Sequence, residues 1–330
     1  MLTDILIIGA GPVGLYTAFY AQMRKASVKV LDSLKAPGGQ PAHIYGEKLI
    51  YDIPGYPSIT GTELTQQLLN QLSRFENDFC LGQEVLMITK NDQGIFEIQT
   101  NQTTHYAKSV IIATGNGAFQ PRKLNLDKAQ EYEDQSLHYI IKNPEDFRGK
   151  TVALAGGGDS AVDWALTLEG IADRVYLIHR RDQFRALEYS VERLEHSSVQ
   201  QIKPYLIKAL QGDLGQLTGL HLERAKTKDP LFLEVDQLVV NYGFSTSLNS
   251  AKKWGVAIQH NQVQVDCHME TTVKGIFAVG DIAHYDGKVK IIASGFGEAP
   301  LAVNQALYYA NPSYQPSPIH SSSLFEGEIL

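Results

Sequence analysis

Sulfur is scarce in this chain. Its 330 residues include two cysteines, Cys80 and Cys267, far apart, and no Cys-x-x-Cys occurs. A dithiol relay needs a neighbouring pair that can close a disulfide or present a thiolate, so that chemistry is excluded, and the two thiols read as buried or incidental. Metal-ligand spacing is missing too: the ten histidines and the carboxylates form no His-Glu-x-x-His pattern, which leaves no basis for a metal centre. No apolar stretch reaches the ~18 residues of a membrane helix. The N-terminus enters a strand-like run by residue 5 without a charged, cleavable leader, so the expectation is a cytoplasmic protein outside the membrane. Positive charge is short as well. Lys and Arg number 29 against 36 Asp and Glu, a net charge of -7 with a pI near 5.8, and no long block of like charge appears. This argues against a nucleic-acid binder and leaves any acidic partner to a local basic patch.

What is present is one pattern written twice. Gly9-Ala10-Gly11-Pro12-Val13-Gly14 follows the apolar run 4–8, and Gly156-Gly157-Gly158-Asp159-Ser160-Ala161 follows the run 151–155. Each is a strand feeding a glycine turn and then a helix. The first glycine permits the tight turn, the second lets backbone approach a pyrophosphate, and the third small residue lets helix and strand pack closely. The phosphates then meet unpaired N–H groups at the positive end of the helix. Two such units imply two dinucleotides, and 330 residues suit two domains.

The strand end beyond each turn separates the two ligands. Asp32 closes the run 27–31 after the first turn, where an acid accepts hydrogen bonds from a ribose 2′-hydroxyl and repels a 2′-phosphate. After the second turn the equivalent place holds His179, followed by Arg180, Arg181 and Arg185. Guanidinium forks grip phosphate, so the second site is expected to take NADPH, and the first an unphosphorylated dinucleotide such as FAD.

Between the turns, periodicity predicts a helix over 62–75, a hairpin of 84–89 and 95–99 around the turn at 92–94, and a buried strand at 109–115. The second unit closes with a strand near 236–243. A short strand at 275–281 ending in Gly280-Asp281, then a helix through 297–306, has no glycine turn of its own and is expected to return to the first domain. The fold class is α/β, with two Rossmann-like dinucleotide-binding domains: 1–116 and 276–330 for FAD, and an inserted 117–275 for NADPH. Asp281 stands where ligands collect in open α/β sheets and suits ribityl hydroxyls, with a helix N-cap as the alternative. Glu298 reads as a first-turn acid near a helix starting about Gly297.

The two glycine turns, Ala113-Thr114-Gly115, His179-Arg180-Arg181 and Gly280-Asp281 together resemble the flavoprotein family of bacterial thioredoxin reductases over essentially the whole chain. That family carries a Cys-x-x-Cys shortly before its second glycine turn; here the stretch 135–141 has neither sulfur. The chain is similar instead to the thioredoxin-reductase-like ferredoxin (flavodoxin)–NADP⁺ reductases in Gly38-Gly39-Gln40, Tyr45, the stretch 51–55, the run 179–185 and the extension bearing His320 and Ser322. The resemblance implies that Gly39, Gln40, Tyr45, Val85, Phe119, Asp281 and Ser322 touch FAD, with Tyr45 and His320 on opposite flavin faces and Ser322 standing for the family's usual threonine. It also implies a homodimer, an electron carrier (ferredoxin or flavodoxin) as partner, and hinges near 116–121 and 274–275. Hydride would pass from NADPH to flavin N5 and electrons singly to the carrier, the cofactor doing the hard chemistry. The residues alone leave two alternatives open: a cysteine-free NAD(P)H oxidase or quinone reductase, and a nucleotide-binding redox sensor without turnover.

Overall fold

The computed structural model describes residues 2–115, 117–247, 252–314 and 321, and of residues 118–120 and 244–247 the backbone. The chain forms two compact units, Met1–Phe119 with Thr246–Leu330, and Gln120–Ser245. The second is an insertion into the first, but it ends at Ser245 and not at 275. The reason is packing. Trp254, Val256, Val263, Val265 and Met269 are buried in the core of the first unit, and the strand Gln262–Gln264 runs parallel to Ala283–His284. Lys274 and Gly275 therefore lie inside the first unit and are not a crossing point.

The first unit is built on a seven-stranded sheet ordered Asp78–Leu81, Val28–Asp32, Leu2–Ile8, Thr104–Ile112, Phe96–Thr100, Val85–Lys90, with Ile276–Ala278 also paired to Thr104–Ile112. The strand Leu2–Ile8 lies parallel to both neighbours. Ile5, Leu6 and Ile7 are fully buried, as an apolar run covered on both sheet faces must be. The hairpin Val85–Lys90 and Phe96–Thr100 is antiparallel, as its turn predicts. Strand Ile276–Ala278 joins this sheet parallel to Thr104–Ile112, so the return to the first unit holds. Helix Pro12–Met23 opens on proline, whose missing N–H would be unpaired there anyway. Helix Gly61–Leu72 is set by Thr60, which accepts from the Glu63 N–H while the Glu63 carboxylate accepts from the Thr60 N–H. This capping box satisfies two otherwise orphaned donors.

The second unit carries a parallel sheet ordered Leu137–His138, Gln237–Asn241, Thr151–Gly156, Arg174–Ile178, Gln200–Ile202. An antiparallel sheet of Tyr205–Asp213, Gln216–Arg224 and Pro230–Leu233 accompanies it. Along Thr151–Gly156, Val152 and Leu154 enter one buried cluster and Ala153 and Ala155 another, the two-residue alternation of a strand buried on both faces.

Candidate functional site

In the first unit, sterics distinguish the three glycines. A Cβ on Gly9 (φ +114°) would lie 2.4 Å from the Ala113 carbonyl oxygen, and one on Gly14 would lie 1.9 Å from the Gly9 carbonyl oxygen. The protein itself demands both glycines. A Cβ on Gly11 would meet nothing nearer than the Gly39 Cα at 3.8 Å. Its missing side chain answers to no protein atom and leaves room for a ligand's phosphates. Pro12 begins the helix directly behind the turn.

Asp32 ends its strand beside this turn. Its Oδ2 accepts from the Ala10 N–H at 2.6 Å and its Oδ1 from the Leu34 N–H at 2.8 Å. Burial pushes this carboxyl up and the two backbone donors oppose the shift. Each oxygen keeps a further lone pair, so the acid shapes the turn and still has acceptor capacity for a ribose. The Gly38 N–H donates to the Ala10 carbonyl at 2.8 Å, and a Cβ on Gly39 would lie 2.9 Å from Gly11. The start of helix Gly39–Tyr45, with Gln40 in its first turn, is thereby pressed onto the glycine turn. Thr114 Oγ1 is buried without a hydrogen-bond partner, a further polar atom in the Ala113-Thr114-Gly115 run behind Gly9.

Asp281 lies in the 3-10 turn Gly280–Ile282. It caps no helix. Its backbone carbonyl accepts from Gln262 Nε2 at 2.7 Å, and its half-buried carboxylate has no hydrogen-bond partner among the described residues. Burial pushes that carboxyl up, opposed by Lys288 and Lys290. Tyr45 is near enough to feel it: burial, then Asp281 and Asp52, raise the Tyr45 hydroxyl. The structure thus gathers Gly9, Gly11, Pro12, Gly14, Asp32, Gly39 and Gln40 at one turn and brings Tyr45 into the field of Asp281. Val85 is different, 4% exposed within the hydrophobic core. Phe119 is on strand Ala118–Pro121, but its side chain, like His320 and Ser322, lies outside the described residues.

The second unit repeats the logic. A Cβ on Gly156 would lie 2.6 Å from Ala161 Cβ and 2.7 Å from the Asn241 carbonyl oxygen, whereas one on Gly158 would meet nothing within 4 Å. Ala161 is buried and Ser160 is exposed in the first turn of helix Asp159–Glu169. The segment after strand Arg174–Ile178 folds back onto this turn: the Arg185 N–H donates to the Gly157 carbonyl at 2.6 Å, and the Leu187 N–H to Asp159 Oδ1 at 2.8 Å. Arg180, Arg181 and Arg185 are exposed, and their guanidinium groups pair with no described side chain.

His179 does not join them as a cation. Its ring lies over Gly157, where a Cβ would sit 2.2 Å from it, and stacks on Phe184 at 5.4 Å between centroids. Burial and the flanking arginines push its pKa down, so it is a neutral cover on the turn. Its Nε2 is buried without a partner, and so is Asn241 Oδ1. Asn241 was not expected. Its signal is positional, since it ends the strand aligned with Gly156, at the carboxyl edge where α/β sheets bind ligands.

Glu298 also differs from expectation. The helix starts at Ile292 and runs to Ala310, so Glu298 lies inside it, 3% exposed. Cys267 is exposed and not buried, while Cys80 is half-buried with its thiol pushed up by burial; both are free. Among the described residues no His, Cys, Asp and Glu cluster is placed to hold a metal, and no helix is long and apolar enough to cross a membrane.

The pyridine nucleotide-disulphide oxidoreductase family matches residues 3–306. The chain is 49% identical to "Ferredoxin--NADP reductase" of Enterococcus faecalis over 99% of its length and 97% of that protein's. It is 51% identical to "Ferredoxin--NADP reductase 2" of Bacillus velezensis, covering 98% and 97%. Among solved structures it is similar to thioredoxin reductase of T. acidophilum (TM-score 0.79, 28% identity, 94% of this chain and 99% of that one). A second such structure is that of Lactococcus lactis (TM-score 0.78, 27%, 93% and 99%). With its two glycine turns and parallel sheets, the chain belongs to the pyridine nucleotide-disulphide oxidoreductase family.

Proposed function

We propose that the protein is an FAD-dependent ferredoxin (flavodoxin)–NADP⁺ oxidoreductase. The observation that carries this reading is the contrast between two otherwise matching turns: each leaves its second glycine open to a ligand, one beside the carboxylate of Asp32 and the other beside three arginines that pair with no described side chain. An acid selects the ribose of FAD, and guanidinium groups select the 2′-phosphate of NADPH. Two curated relatives named for ferredoxin and NADP support the same activity.

Bound flavin supplies hydride acceptance from the nicotinamide and single-electron release to a carrier. The chain supplies the grip. Gly9, Gly11, Pro12 and Gly14 cradle the FAD pyrophosphate, with Asp32 on the ribose and Gly39 and Gln40 against the turn. Asp281 accepts from ribityl hydroxyls, and Tyr45 covers one flavin face. By resemblance Val85, Phe119 and Ser322 complete the FAD contacts and His320 covers the opposite face. Gly156, Gly158, Ser160 and Ala161 hold the NADPH pyrophosphate, and Arg180, Arg181 and Arg185 its 2′-phosphate. His179 joins the NADPH contacts as a neutral ring over Gly157, with its Nε2 unpartnered among the described residues. A dithiol has no role, because Cys80 and Cys267 are separate free thiols. The same reading makes the protein a cytoplasmic homodimer.

The test is steady-state cytochrome reduction with NADPH. Rapid turnover only when ferredoxin or flavodoxin is added is the expected result. Equal turnover with oxygen alone contradicts it.

A further inference from the structure

Within the first unit, Glu298 is a buried carboxylate with three donors. Its Oε2 accepts from the Gly280 N–H at 2.7 Å, and its Oε1 accepts from the Tyr285 hydroxyl at 2.7 Å and from the Lys288 ammonium. The Lys288 and Glu298 side chains are 3% and 4% exposed. The Lys288 ammonium also lies 5.4 Å from the centroid of the Tyr285 ring. Burial and Glu298 push the Tyr285 hydroxyl up to about 12, so it remains a donor throughout the neutral range.

An ion pair this deep stabilises a fold little compared with apolar residues of the same volume, which directs attention to what it holds. It holds the N–H of Gly280, whose φ of +75° places Asp281 at the strand end. That turn packs on the first glycine turn, since a Cβ on Gly280 would lie 3.4 Å from Val13. The buried cation is also near enough to act on Asp281.

We propose that Lys288 and Glu298 are a positioning pair for FAD: Glu298 fixes the Gly280-Asp281 turn, and Lys288 supplies the positive field in which the Asp281 carboxylate remains a hydrogen-bond acceptor. The proposal rests on the assignment of Asp281 to the flavin. The charged and titratable groups facing Asp281 are Lys288 and Lys290, which favour its ionised form, Glu298, which opposes it, and Tyr45, itself beside Asp52. Asp281 already titrates above its ordinary value through burial, and it accepts from hydroxyls fully only when ionised. FAD is therefore held above that pKa and lost as pH falls through it. Removing Lys288 moves the loss to higher pH.

The experiment uses the full-length, FAD-loaded protein. Flavin fluorescence is followed on acidification for wild type, K288M, K288R, K288M/E298Q and D281N, with thermal denaturation at neutral pH in excess FAD as the fold control. The double variant removes both charges and leaves no buried ion unpaired, so it stays informative if K288M fails to fold. The pair predicts that K288M releases FAD at a midpoint about one pH unit above wild type, which is a tenfold change in the ionisation equilibrium, whereas K288M/E298Q, which also removes the opposing Glu298 charge, keeps a midpoint near wild type and holds FAD more weakly at neutral pH because the Gly280 N–H loses its charged acceptor. K288R should restore the wild-type midpoint. A wild-type midpoint in folded K288M, or a K288M/E298Q protein that binds FAD at neutral pH as tightly as wild type, with D281N releasing FAD readily, overturns the positioning pair while leaving Asp281 its role. A D281N protein that holds FAD as wild type does overturns the Asp281 assignment and the pair with it.

Discussion

At the scale of single residues, Gly11 and Gly14 occupy one turn and answer to different partners. A Cβ at position 14 collides with the Gly9 carbonyl at 1.9 Å, whereas position 11 is open to 3.8 Å. Gly14→Ala should lower stability by about 1–3 kcal/mol through overpacking, with or without ligand. Gly11→Ala should leave the melting temperature of the apoprotein unchanged and weaken FAD by roughly tenfold, about 1.4 kcal/mol. Calorimetry of the stripped proteins and FAD titration separate the two, and equal loss of stability in both would show that Gly11 is a packing residue. The glycines and Asp32 were legible in the sequence because turn sterics and the acid at the strand end are short-range features. Glu298 and Asn241 were not, because their meaning comes from Gly280 and Gly156, which only the folded chain brings beside them. For His179 the sequence placed the residue in a cationic run, and the fold adds that burial over Gly157 pushes its pKa down, so it stands beside the arginines as a neutral ring.

At the scale of elements, the hairpin was read from its turn and the helix expected over 62–75 from its periodicity, and the structure ends that helix at Leu72. The helix Ile292–Ala310 could not be placed as well. Gly295, Gly297 and Pro300 each lower helix propensity, and the helix was expected to start only about Gly297. Packing overrides them. A Cβ on Gly295 would lie 2.4 Å from Val13 Cγ2 and 3.2 Å from Gly280 Cα, and Phe296 meets Tyr16 with ring centroids 5.2 Å apart. Glycine at 295 lets this helix approach the first glycine turn and the Asp281 turn together. Gly295→Ala should therefore displace Val13, cost about 1–3 kcal/mol and weaken FAD in the same variant. Thermal denaturation and FAD titration check this, and an unchanged melting temperature would remove the close approach from the account.

At the scale of the molecule, the insertion of one nucleotide unit into another was legible from the repeated turn and the late Gly280-Asp281 strand. Its second boundary was not. Residues 252–274 form strands of two or three residues, such as Ile258–Gln259 and Gln262–Gln264, too short for periodicity to speak, and their allegiance is set by long-range burial in the first core. The net charge of -7 likewise hides the feature that matters most, three arginines beside one glycine turn without acidic partners among the described residues. The most direct measurement is anaerobic flavin bleaching of the FAD-loaded protein by NADPH and by NADH, for wild type and for Arg180→Ala/Arg181→Ala. Charged hydrogen bonds of about 1.5–3 kcal/mol each predict that NADPH bleaches wild type faster than NADH by roughly 100-fold, and that the double variant loses this advantage with its NADH rate unchanged. Equal rates with the two nucleotides in wild type would contradict the account.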